Sequence, residues 1–403
     1  MKILMIANFV GFPWEGANSR FTYILDKLNY EENQAELITS NFKHGAKDYR
    51  NESELKKTSY KITLIDHPRY KKNVSFKRII GHKKFAKNIQ KYLNNLSYKP
   101  DVIYCAVPPL SVSKSALKYA KKNNIRFIVD IQDLWPESFK MVVNIPFISD
   151  ILFYPMLKSA NYIYKNSDCI IAVSNTFVNR AIKVNKDVTS GLSVFLGTDL
   201  KYFDQCRKNN IVKFNDDVIR IAYIGTLGTS YDIKSVIDAI AILNKKGISN
   251  VKFVVMGTGP LKDDFELYAK EKNIDFEFTG RLVYSEMIGL LCSCDICVNP
   301  IIGTSVSSII NKVGDYAASG LPVINTQNSN EYRDLVDEYK AGFNCINGDV
   351  NDIAEKMEIL IKDKKLRLEC GRGNRKLAED KFDRDKTYRE IVKEILNGDS
   401  LCI

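Results

Sequence analysis

Residues 219–228 read IRIAYIGTLG, an apolar run that ends at a glycine. Such runs are typical of strands buried on both faces, as in parallel sheets covered by helices. Further runs alternate with amphipathic segments, so a doubly wound α/β domain is predicted from Ile219 onward. Its later strands are predicted at Val251–Gly257, Phe276–Gly280, Ile296–Pro300, Pro322–Thr326 and Gly342–Ile346, and its helices at Ser235–Lys245, Leu261–Lys272, Ser285–Cys292 and Ile309–Ala318.

The same alternation fills the sequence before this stretch. Strands are predicted at Lys2–Asn8, Ala35–Thr39, Lys61–Ile65, Val102–Val107, Arg126–Ile131, Cys169–Val173 and Leu192–Leu196, with helices at Ser19–Leu28 and Val112–Lys122. A chain of 403 residues has room for two such domains. We therefore predict domains at 1–205 and 206–382, joined near Tyr202–Asn215, and a terminal helix at Asp383–Leu396.

Composition excludes several classes of protein. Hydrophobic residues make up 45% and charged residues 27%, which is ordinary for a globular protein and excludes a disordered or fibrous one. The most apolar region, Met141 to Tyr164, is interrupted by prolines and charges, so we expect no membrane-spanning helix. The N-terminus reads as a buried strand, not as a secretory leader. Nine cysteines without framework spacing argue against a disulfide scaffold and favour the cytoplasm.

The positive charge is concentrated in the first half. Of 59 Lys and Arg residues, 30 lie in residues 1–200 against 17 acidic residues, and the remainder is close to neutral. The stretch Arg69–Lys91 interleaves basic and apolar residues at helical spacing, and with Phe147–Tyr154 it could lie on an anionic membrane. A solvated basic face is the alternative. No nucleic-acid-binding motif accompanies the charge, so no nucleic-acid partner is expected.

Two loops in the first half carry candidate site residues, because ligands of open α/β sheets bind beyond the carboxyl ends of the strands. Residues 13–20 (PWEGANSR) place Gly16 and Arg20 at a helix start, which suits a phosphate. A plain turn with a surface arginine is the alternative and is favoured by the motif alone. Residues 130–137 (DIQDLWPE) carry three carboxylates and a tryptophan. Asp133 could belong to a site or could cap a helix that begins at Pro136.

Three loops in the second half suit a nucleotide diphosphate. The turn after Gly225 offers hydroxyls, and Arg281 follows a predicted strand; each is weak evidence alone, since turns and exposed arginines are common. Residues 303–308 (GTSVSS) give a serine-rich helix start, followed by Lys312 and Asp315. Asp315 could accept hydrogen bonds from a ribose diol or be an ordinary solvated acid. Cys292, Cys294 and Cys297 fit buried structural cysteines better than a zinc site, since no histidine is near.

The ordered set of motifs resembles the retaining GT-B glycosyltransferases of family 4, in the bacterial surface-polysaccharide branch with fucosaminyl-type transferases. The most specific stretches are DLWPES at 133–138, GTLG at 225–228, Asn311-Lys312, and DYAASGLPVI at 315–324. The resemblance spans nearly the whole chain. It implies two Rossmann-like domains that face each other across a cleft, with a C-terminal helix beyond Asp383 that crosses back to the first domain.

The resemblance also implies roles for individual residues. Asp133 matches the second member of a His-Asp pair, with Gln132 at the histidine position. Ser307 and Asp315 match the two acids of a Glu-x7-Glu element, which contact the donor sugar and the ribose. The acceptor and phosphate loop comprises Gly16, Asn18, Arg20 and Glu137; the donor site comprises Gly225, Thr226, Arg281, Val283, Ser307, Ser308, Lys312 and Asp315; and Asp133, Arg281 and Lys312 are expected to be catalytic.

This sequence departs from the family in the donor site. Thr226 replaces an arginine, Lys234 is a substitute for a nearby lysine, and Ser307 lacks the acid's charge. Lys312 and Arg281 therefore become the candidates for stabilising the leaving diphosphate, where negative charge grows in the transition state. We expect no metal and no cofactor besides the nucleotide sugar, because no Asp-x-Asp element lies in a fitting place.

Taken together, the sequence predicts retaining transfer from a nucleotide sugar, a UDP-sugar by preference, to a lipid-linked or oligosaccharide acceptor. Capsule, O-antigen or exopolysaccharide synthesis would be the setting, in the cytoplasm or on the inner face of the plasma membrane. The second domain would hold the nucleotide and the first the acceptor. A non-catalytic partner that keeps the fold and a sugar-nucleotide 2-epimerase are the alternatives. The epimerase is disfavoured because it relies on clustered histidines and acidic residues, and the chain has only three histidines.

Overall fold

The computed structural model describes residues 1–17, 19–28, 33–71, 75–142, 148–303 and 309–397. Chain contacts divide the protein into two units, one of Met1–Val194 with Tyr388–Ile403 and one of Phe195–Thr387. The predicted domain bounds at 205/206 and 382/383 concern folding domains and stay a prediction.

The first unit contains nine strands and six helices in the described residues before Phe195. Its strands are β1 (Lys2–Ile6), β2 (Gln34–Ser40), β3 (Phe42–Lys43), β4 (Asp48–Tyr49), β5 (Lys61–Ile65), β6 (Val102–Val107), β7 (Arg126–Ile131), β8 (Cys169–Ala172) and β9 (Leu192–Ser193). Its helices are α1 (Arg20–Leu28), α2 (Phe76–Asn94), α3 (Leu110–Lys122), α4 (Glu137–Val142), α5 (Ile148–Asn166) and α6 (Asn175–Ile182).

Seven of these strands form one parallel sheet in the order β5-β2-β1-β6-β7-β8-β9. The register sets Ile3 beside both Ala35 and Val102. The central strands are buried throughout, as the continuous apolar runs predicted. Chain order reverses on the two sides of β1, so the switch point of this sheet lies between the carboxyl ends of β1 and β6.

The second unit contains six strands and eight helices in the part of the chain that the structure describes. Its strands are β10 (Ile219–Ile224), β11 (Val251–Met256), β12 (Asp275–Gly280), β13 (Ile296–Asn299), β14 (Val323–Asn325) and β15 (Gly342–Asn344). Its helices are α7 (Leu200–Asn210), α8 (Ile233–Lys245), α9 (Lys262–Glu271), α10 (Tyr284–Leu291), α11 (Lys312–Ser319), α12 (Asn330–Glu338), α13 (Val350–Lys362) and α14 (Lys364–Leu377).

The second sheet is also parallel, in the order β12-β11-β10-β13-β14-β15. Apolar side chains cover both of its faces: Ala222 and Val254 lie in one core cluster, and Ile221 and Val255 in the other. Helix starts are fixed by side-chain caps, as where Asp232 accepts a hydrogen bond from the backbone N–H of Ser235 at the start of α8. The switch point of this sheet lies between β10 and β13.

The last helix, α15 (Arg384–Asn397), passes from the second unit into the first. Arg126 of β7 donates a hydrogen bond from Nη1 to the carbonyl oxygen of Glu394 at 2.7 Å and also pairs with the Glu394 carboxylate. The predicted terminal helix and its return to the first part of the chain are therefore confirmed.

The predicted strands of both sheets are confirmed to within a few residues at their ends. The helix predicted at Ile309–Ala318 is present but begins three residues later, since residues 309–310 are not helical and α11 begins at Lys312. Helices α12, α13 and α14 were not predicted from the sequence, nor was the β3–β4 hairpin, whose strands have two residues each. No helix within the described ranges is long and apolar enough to cross a membrane.

Candidate functional site

The switch point of the second sheet is built on close backbone contacts. Gly225 follows β10 with φ +126°, a conformation that other residues rarely adopt. Gly257 follows β11, and a Cβ atom there would lie 1.8 Å from the carbonyl oxygen of Gly225. Glycine is required at both positions, because the backbone segments that follow β10 and β11 lie in direct contact.

Lys312 reaches this same place from the start of α11. Its Nζ lies 4.0 Å from the ring centre of Tyr223 and 3.9 Å from that of Tyr231. The atom is buried, and nothing within the described ranges accepts a hydrogen bond from it or pairs with it as a carboxylate. Burial lowers the pKa of Lys312 well below its usual value. A buried amine without an acceptor is costly, and an anion at the switch point would supply the missing partner.

Asp315 lies one turn further along α11. Its Oδ1 accepts hydrogen bonds from Thr198 Oγ1 at 2.8 Å and from the Tyr284 hydroxyl at 2.9 Å. Burial raises the pKa of Asp315, while these two hydrogen bonds act to lower it. The alternative of an ordinary solvated acid is wrong. Oδ2 accepts no hydrogen bond in the described part of the chain and is not among its buried unpaired atoms, so it remains available to a ligand.

The other predicted donor residues are more scattered. Thr226 is exposed, and its carbonyl oxygen accepts a hydrogen bond from the Tyr223 hydroxyl at 2.8 Å. Arg281 is exposed after β12, and Val283 is 60% exposed before α10. Because β11 separates β12 from β10, Arg281 follows a strand about 10 Å from the one that carries Gly225. Ser307 and Ser308 lie outside the described residues.

Arg20 in the first unit is buried in an ion pair. Its Nε donates to Asp130 Oδ2 at 3.0 Å, and its Nη1 to the carbonyl oxygen of Val194 at 2.7 Å. Tyr104 donates its hydroxyl to the same carboxylate at 2.6 Å. The alternative of a surface arginine is wrong, since Arg20 is 3% exposed. Its guanidinium already has protein partners, so the predicted phosphate role stays a prediction without support from this arrangement.

Asp133 forms a local network after β7. Its Oδ2 accepts hydrogen bonds from Trp135 Nε1 at 3.0 Å and from Ser138 Oγ at 3.3 Å, and burial raises its pKa. In the capping alternative, Asp133 would instead accept a hydrogen bond from a backbone N–H in the first turn of a helix. Both of these partners are side chains, and α4 begins only at Glu137. Glu137 pairs with Arg180, with Oε1 and Nε 2.6 Å apart.

The two remaining residues of the predicted acceptor loop are glycine and asparagine. Gly16 adopts φ +73° and ends a short 3-10 helix at Pro13–Glu15. Asn18 lies outside the described residues. No site role of either residue follows from this geometry, so both remain predictions.

Two amide side chains lie at the carboxyl edge of the first sheet. Gln132 stands at the histidine position of the family's His-Asp pair, and Asn8 was not selected from the sequence. Both polar atoms of Asn8, just after β1, are buried without a hydrogen-bond partner in the described part of the chain, and so is Nε2 of Gln132 after β7. Buried polar atoms are nearly always paired in proteins. Each residue directly follows a strand, and this position was the signal in the sequence that could have identified it as a site residue.

All three histidines of the chain lie together in the first unit. His67 Nε2 and His82 Nδ1 are 3.4 Å apart, Arg78 donates from Nε to His82 Nε2 at 3.2 Å, and His44 bonds the Tyr70 hydroxyl. Burial and nearby cations lower the pKa of His44 to about 4 and that of His82 to about 3. The sequence showed only that histidines are few. His44 follows β3, His67 follows β5 and His82 lies on α2, so the fold brings them together.

Cysteines and metal-binding groups can be compared with their predictions. Cys292, Cys294 and Cys297 are buried in the core of the second unit, as predicted for structural cysteines. Across the ranges that the structure describes, no group of three or more His, Cys, Asp or Glu side chains is arranged to hold a metal ion.

The fold is shared with solved glycosyltransferase structures. The protein superposes on HepE from Anabaena in complex with UDP and glucose with a TM-score of 0.67 at 13% identity, over 98% of this chain and 100% of that one. It superposes on sucrose-phosphate synthase from Thermosynechococcus elongatus with a TM-score of 0.73 at 15% identity, over 99% and 100%. The chain has the GT-B fold. At these identities the likeness shows the fold alone.

Sequence comparisons also find glycosyltransferases. The family model described as "Glycosyl transferases group 1" matches residues 219–363, which lie within the second unit. The capsular polysaccharide biosynthesis glycosyltransferase CapM of Staphylococcus aureus is 28% identical over 55% of this chain and 60% of its own. Sulfoquinovosyl transferase SQD2 of Arabidopsis thaliana is 24% identical over 74% of this chain and 56% of its own.

A third relative has a lipid-linked acceptor in its name. It is the GalNAc-alpha-(1->4)-GalNAc-alpha-(1->3)-diNAcBac-PP-undecaprenol alpha-1,4-N-acetyl-D-galactosaminyltransferase of Campylobacter jejuni, 24% identical over 53% of this chain and 62% of its own. The alignments thus span about three fifths of the length of these curated relatives. The chain is similar to glycosyltransferases, and the finer assignment to family 4 and its fucosaminyl branch stays a prediction.

Proposed function

We propose that this protein is a retaining glycosyltransferase that moves a sugar from a UDP-sugar to a lipid-linked or oligosaccharide acceptor in surface-polysaccharide synthesis. The observation that carries the proposal is the buried Lys312 amine, unpaired within the described residues, beside Gly225 at the switch point of the second sheet. A cationic side chain beside a glycine turn at such a place suits a diphosphate.

The donor would lie across the carboxyl ends of β10 and β13. Its diphosphate would contact Lys312 and the backbone after Gly225, and the Asp315 carboxylate would accept hydrogen bonds from the ribose through Oδ2. Arg281 and Val283, exposed at the sheet edge, would contact the base side of the nucleotide or its diphosphate. Thr226, Ser307 and Ser308 complete the proposed donor site.

The reaction would depend on stabilising the leaving group. The bond between the anomeric carbon and the diphosphate oxygen would break, and negative charge would grow on that oxygen. The acceptor hydroxyl would attack the anomeric carbon from the same face, and its proton would pass to the departing diphosphate. The ammonium form of Lys312 would stabilise that oxygen in a site with little water, where the interaction is stronger than in solution. Cationic side chains would supply this charge without a metal ion, and Asp133 would orient groups at the reacting centre.

The acceptor would bind to the first unit, with Gly16, Asn18, Arg20 and Glu137 as the proposed loop. The names of CapM and of the Campylobacter transferase support a capsule or polyprenyl-linked acceptor. At the start of α2, Phe76, Ile79 and Ile80 are exposed among lysines. We propose that this helix lies on the anionic inner face of the plasma membrane, which would present a lipid-linked acceptor.

The histidine cluster is the one observation that favours a 2-epimerase instead. The cluster has Arg78, Lys47 and aromatic rings as its neighbours, and no carboxylate of the described residues is in direct hydrogen-bond contact with a histidine ring. Its ring nitrogens are already bonded to Arg78, to Tyr70 and to the Pro68 carbonyl oxygen. We therefore prefer the transferase.

A sugar-nucleotide panel tests the proposal. The protein is incubated with UDP-, GDP-, ADP- and CMP-sugars and with polyprenyl-diphosphate-linked acceptors, and nucleotide release and product anomer are measured by NMR. UDP release with retention at the anomeric carbon is expected. Release of a different nucleotide, inversion, or free epimerised sugar with no glycoside would contradict it.

A further inference from the structure

Tyr223 and Tyr231 enclose the amine of Lys312 and are fixed in place themselves. We call these two rings the tyrosine cage. Their centres are 5.8 Å apart in an edge-to-face arrangement. Tyr223 is fully buried on β10 and donates its hydroxyl to the carbonyl oxygen of Thr226. Tyr231 is held by a hydrogen bond from its backbone N–H to the Gly228 carbonyl oxygen and by a bridge to Ile301. The cage is therefore rigid before any ligand arrives.

The cage acts on the charge of Lys312 in two opposed ways. The rings exclude water, which disfavours the ammonium form, and their faces attract a cation, which favours it. Desolvating an ammonium costs more than an aromatic contact returns, so the free protein favours the uncharged amine. A diphosphate at the switch point adds two negative charges beside the amine and reverses that balance.

Other charged groups near α11 are already engaged. Asp315 accepts from Thr198 and Tyr284, and Arg384 acts on it electrostatically. Arg375 of α14 pairs with Asp204 of α7 and with Glu379. The groups facing the amine are the two phenols, whose own pKa values are raised by burial. Desolvation is accordingly the cause of the lowered Lys312 pKa, with no charged group contributing resolvably.

We propose that Tyr223 and Tyr231 are positioning residues that hold Lys312 as an uncharged amine against the Gly225 backbone, and that binding of a nucleoside diphosphate brings a proton from solution onto it. The inference rests on the proposed function, because it concerns the same donor site. The proton joins the lone pair of Nζ, and no other bond changes. Lys312 is thus charged only when the donor is present. Between turnovers the uncharged amine does not attract anions from the solvent.

Isothermal titration of UDP into the full-length protein tests this directly. Titrations are run at about pH 8, where a phosphate with a second pKa of about 6 is already ionised. Two buffers of different ionisation enthalpy are compared. Because a proton drawn from the buffer adds its ionisation heat, the difference in measured enthalpy gives the protons taken up. Close to one proton for each UDP bound is expected.

Variants distinguish a positioning role of the tyrosine cage from a purely structural one. Lys312→Met should abolish the uptake. Tyr231→Phe should keep it, since the ring remains, and Tyr231→Leu should reduce it at least about twofold, because water then reaches the amine and charges it beforehand. Tyr268→Leu is the matched control, since Tyr268 also carries lysines over its ring, Lys234 at 4.8 Å and Lys272 at 4.9 Å. It should leave uptake unchanged.

The outcomes distinguish this inference from the proposed function. UDP binding without buffer-dependent heat overturns the inference and leaves the donor site standing. Equal uptake in Tyr231→Leu and the wild type also overturns it. A protein that binds no nucleotide contradicts the proposed function itself, and this inference with it.

Discussion

A Cβ atom at Gly225 would lie 2.9 Å from the Nζ of Lys312, so these two residues meet at one point of the second unit. One follows β10 and the other begins α11, the first helix described after β13. Since β10 and β13 flank the switch point, the contact joins the two halves of the sheet where a ligand is expected. The residue at 225 therefore controls where the lysine can lie.

Gly225→Ala should disrupt the donor site. The added methyl group meets the amine, and alanine tolerates φ +126° poorly, at a cost of about 1–3 kcal/mol. We expect UDP affinity to fall at least about tenfold, which corresponds to about 1.4 kcal/mol. Calorimetry measures the affinity and thermal unfolding the stability. Gly228→Ala is the control, because its Cβ would meet only Thr226 Cγ2 at 3.9 Å. Equal affinities for all three proteins would refute the prediction.

Asp315→Asn should weaken recognition of the ribose. The amide oxygen can still accept from Thr198 and Tyr284, so the local structure should persist, but the charge on Oδ2 is lost. Hydrogen bonds to a charged acceptor contribute about 1.5–3 kcal/mol, so UDP should bind roughly ten- to hundredfold more weakly. The wild type should also prefer UDP to 2′-deoxy-UDP, and the variant should lose that preference. Asp204→Asn, which changes an exposed carboxylate of the same unit, serves as the control.

Acid should destabilise the protein through the histidine cluster. The folded pKa of His82 is about 3 and that of His44 about 4, both below the ordinary value of 6.5. The unfolded chain therefore binds more protons below about pH 6.5, and stability is lost as the pH falls from there. For buried His82 the loss should reach up to about 2 kcal/mol by about pH 5.

Urea unfolding between about pH 7 and pH 5 measures this loss before most carboxylates titrate. His82→Phe removes one titrating ring and should flatten the profile, even if its stability at neutral pH is lower. A wild-type stability that stays level across this range would show that the histidines titrate normally.

Membrane binding should depend on the exposed apolar residues of α2. Phe76 is 84% and Ile80 is 64% exposed, and lysines surround them. The double variant Phe76→Ser/Ile80→Ser should float with anionic liposomes at least about tenfold less, since each buried apolar side chain contributes about 1.5–3 kcal/mol. Leu267→Ser changes a leucine of the second unit that is 58% exposed and serves as a control. Equal wild-type flotation with neutral and anionic liposomes would refute the electrostatic part.

Much of the fold followed from the sequence because buried parallel strands carry a local signal. Runs such as residues 102–107 and 169–172 are apolar on both faces, and their positions were predicted to within a residue or two. The start of α11 was placed at Ile309 instead of Lys312. Asn311 is the residue before the helix, but its side chain makes no capping hydrogen bond. Helices α13 and α14 follow one another with only Asp363 between them. No strand lies between them, so the alternation of strands and helices that predicted the other elements gave no signal here.

The site was predictable in residue type but less so in arrangement. Lys312 and Asp315 were selected from their helix spacing, yet the tyrosine cage depends on a strand and a loop that only the fold brings together. Arg20 has the sequence context of a phosphate ligand, and its burial against Asp130, 110 residues away, is a tertiary effect. The histidines are separated by two strands and a helix start, so their convergence left no local pattern.

Binding of UDP at Lys312 is the central claim, and a thermal-shift titration tests it most directly. The wild type and Lys312→Met are heated with UDP, GDP, ADP or CMP, each with and without EDTA, since a ligand of the folded state raises the melting temperature. The account predicts that UDP alone stabilises the wild type, that EDTA changes nothing, and that Lys312→Met loses the shift without melting earlier. No shift with any nucleotide, or an equal UDP shift in the variant, would contradict it.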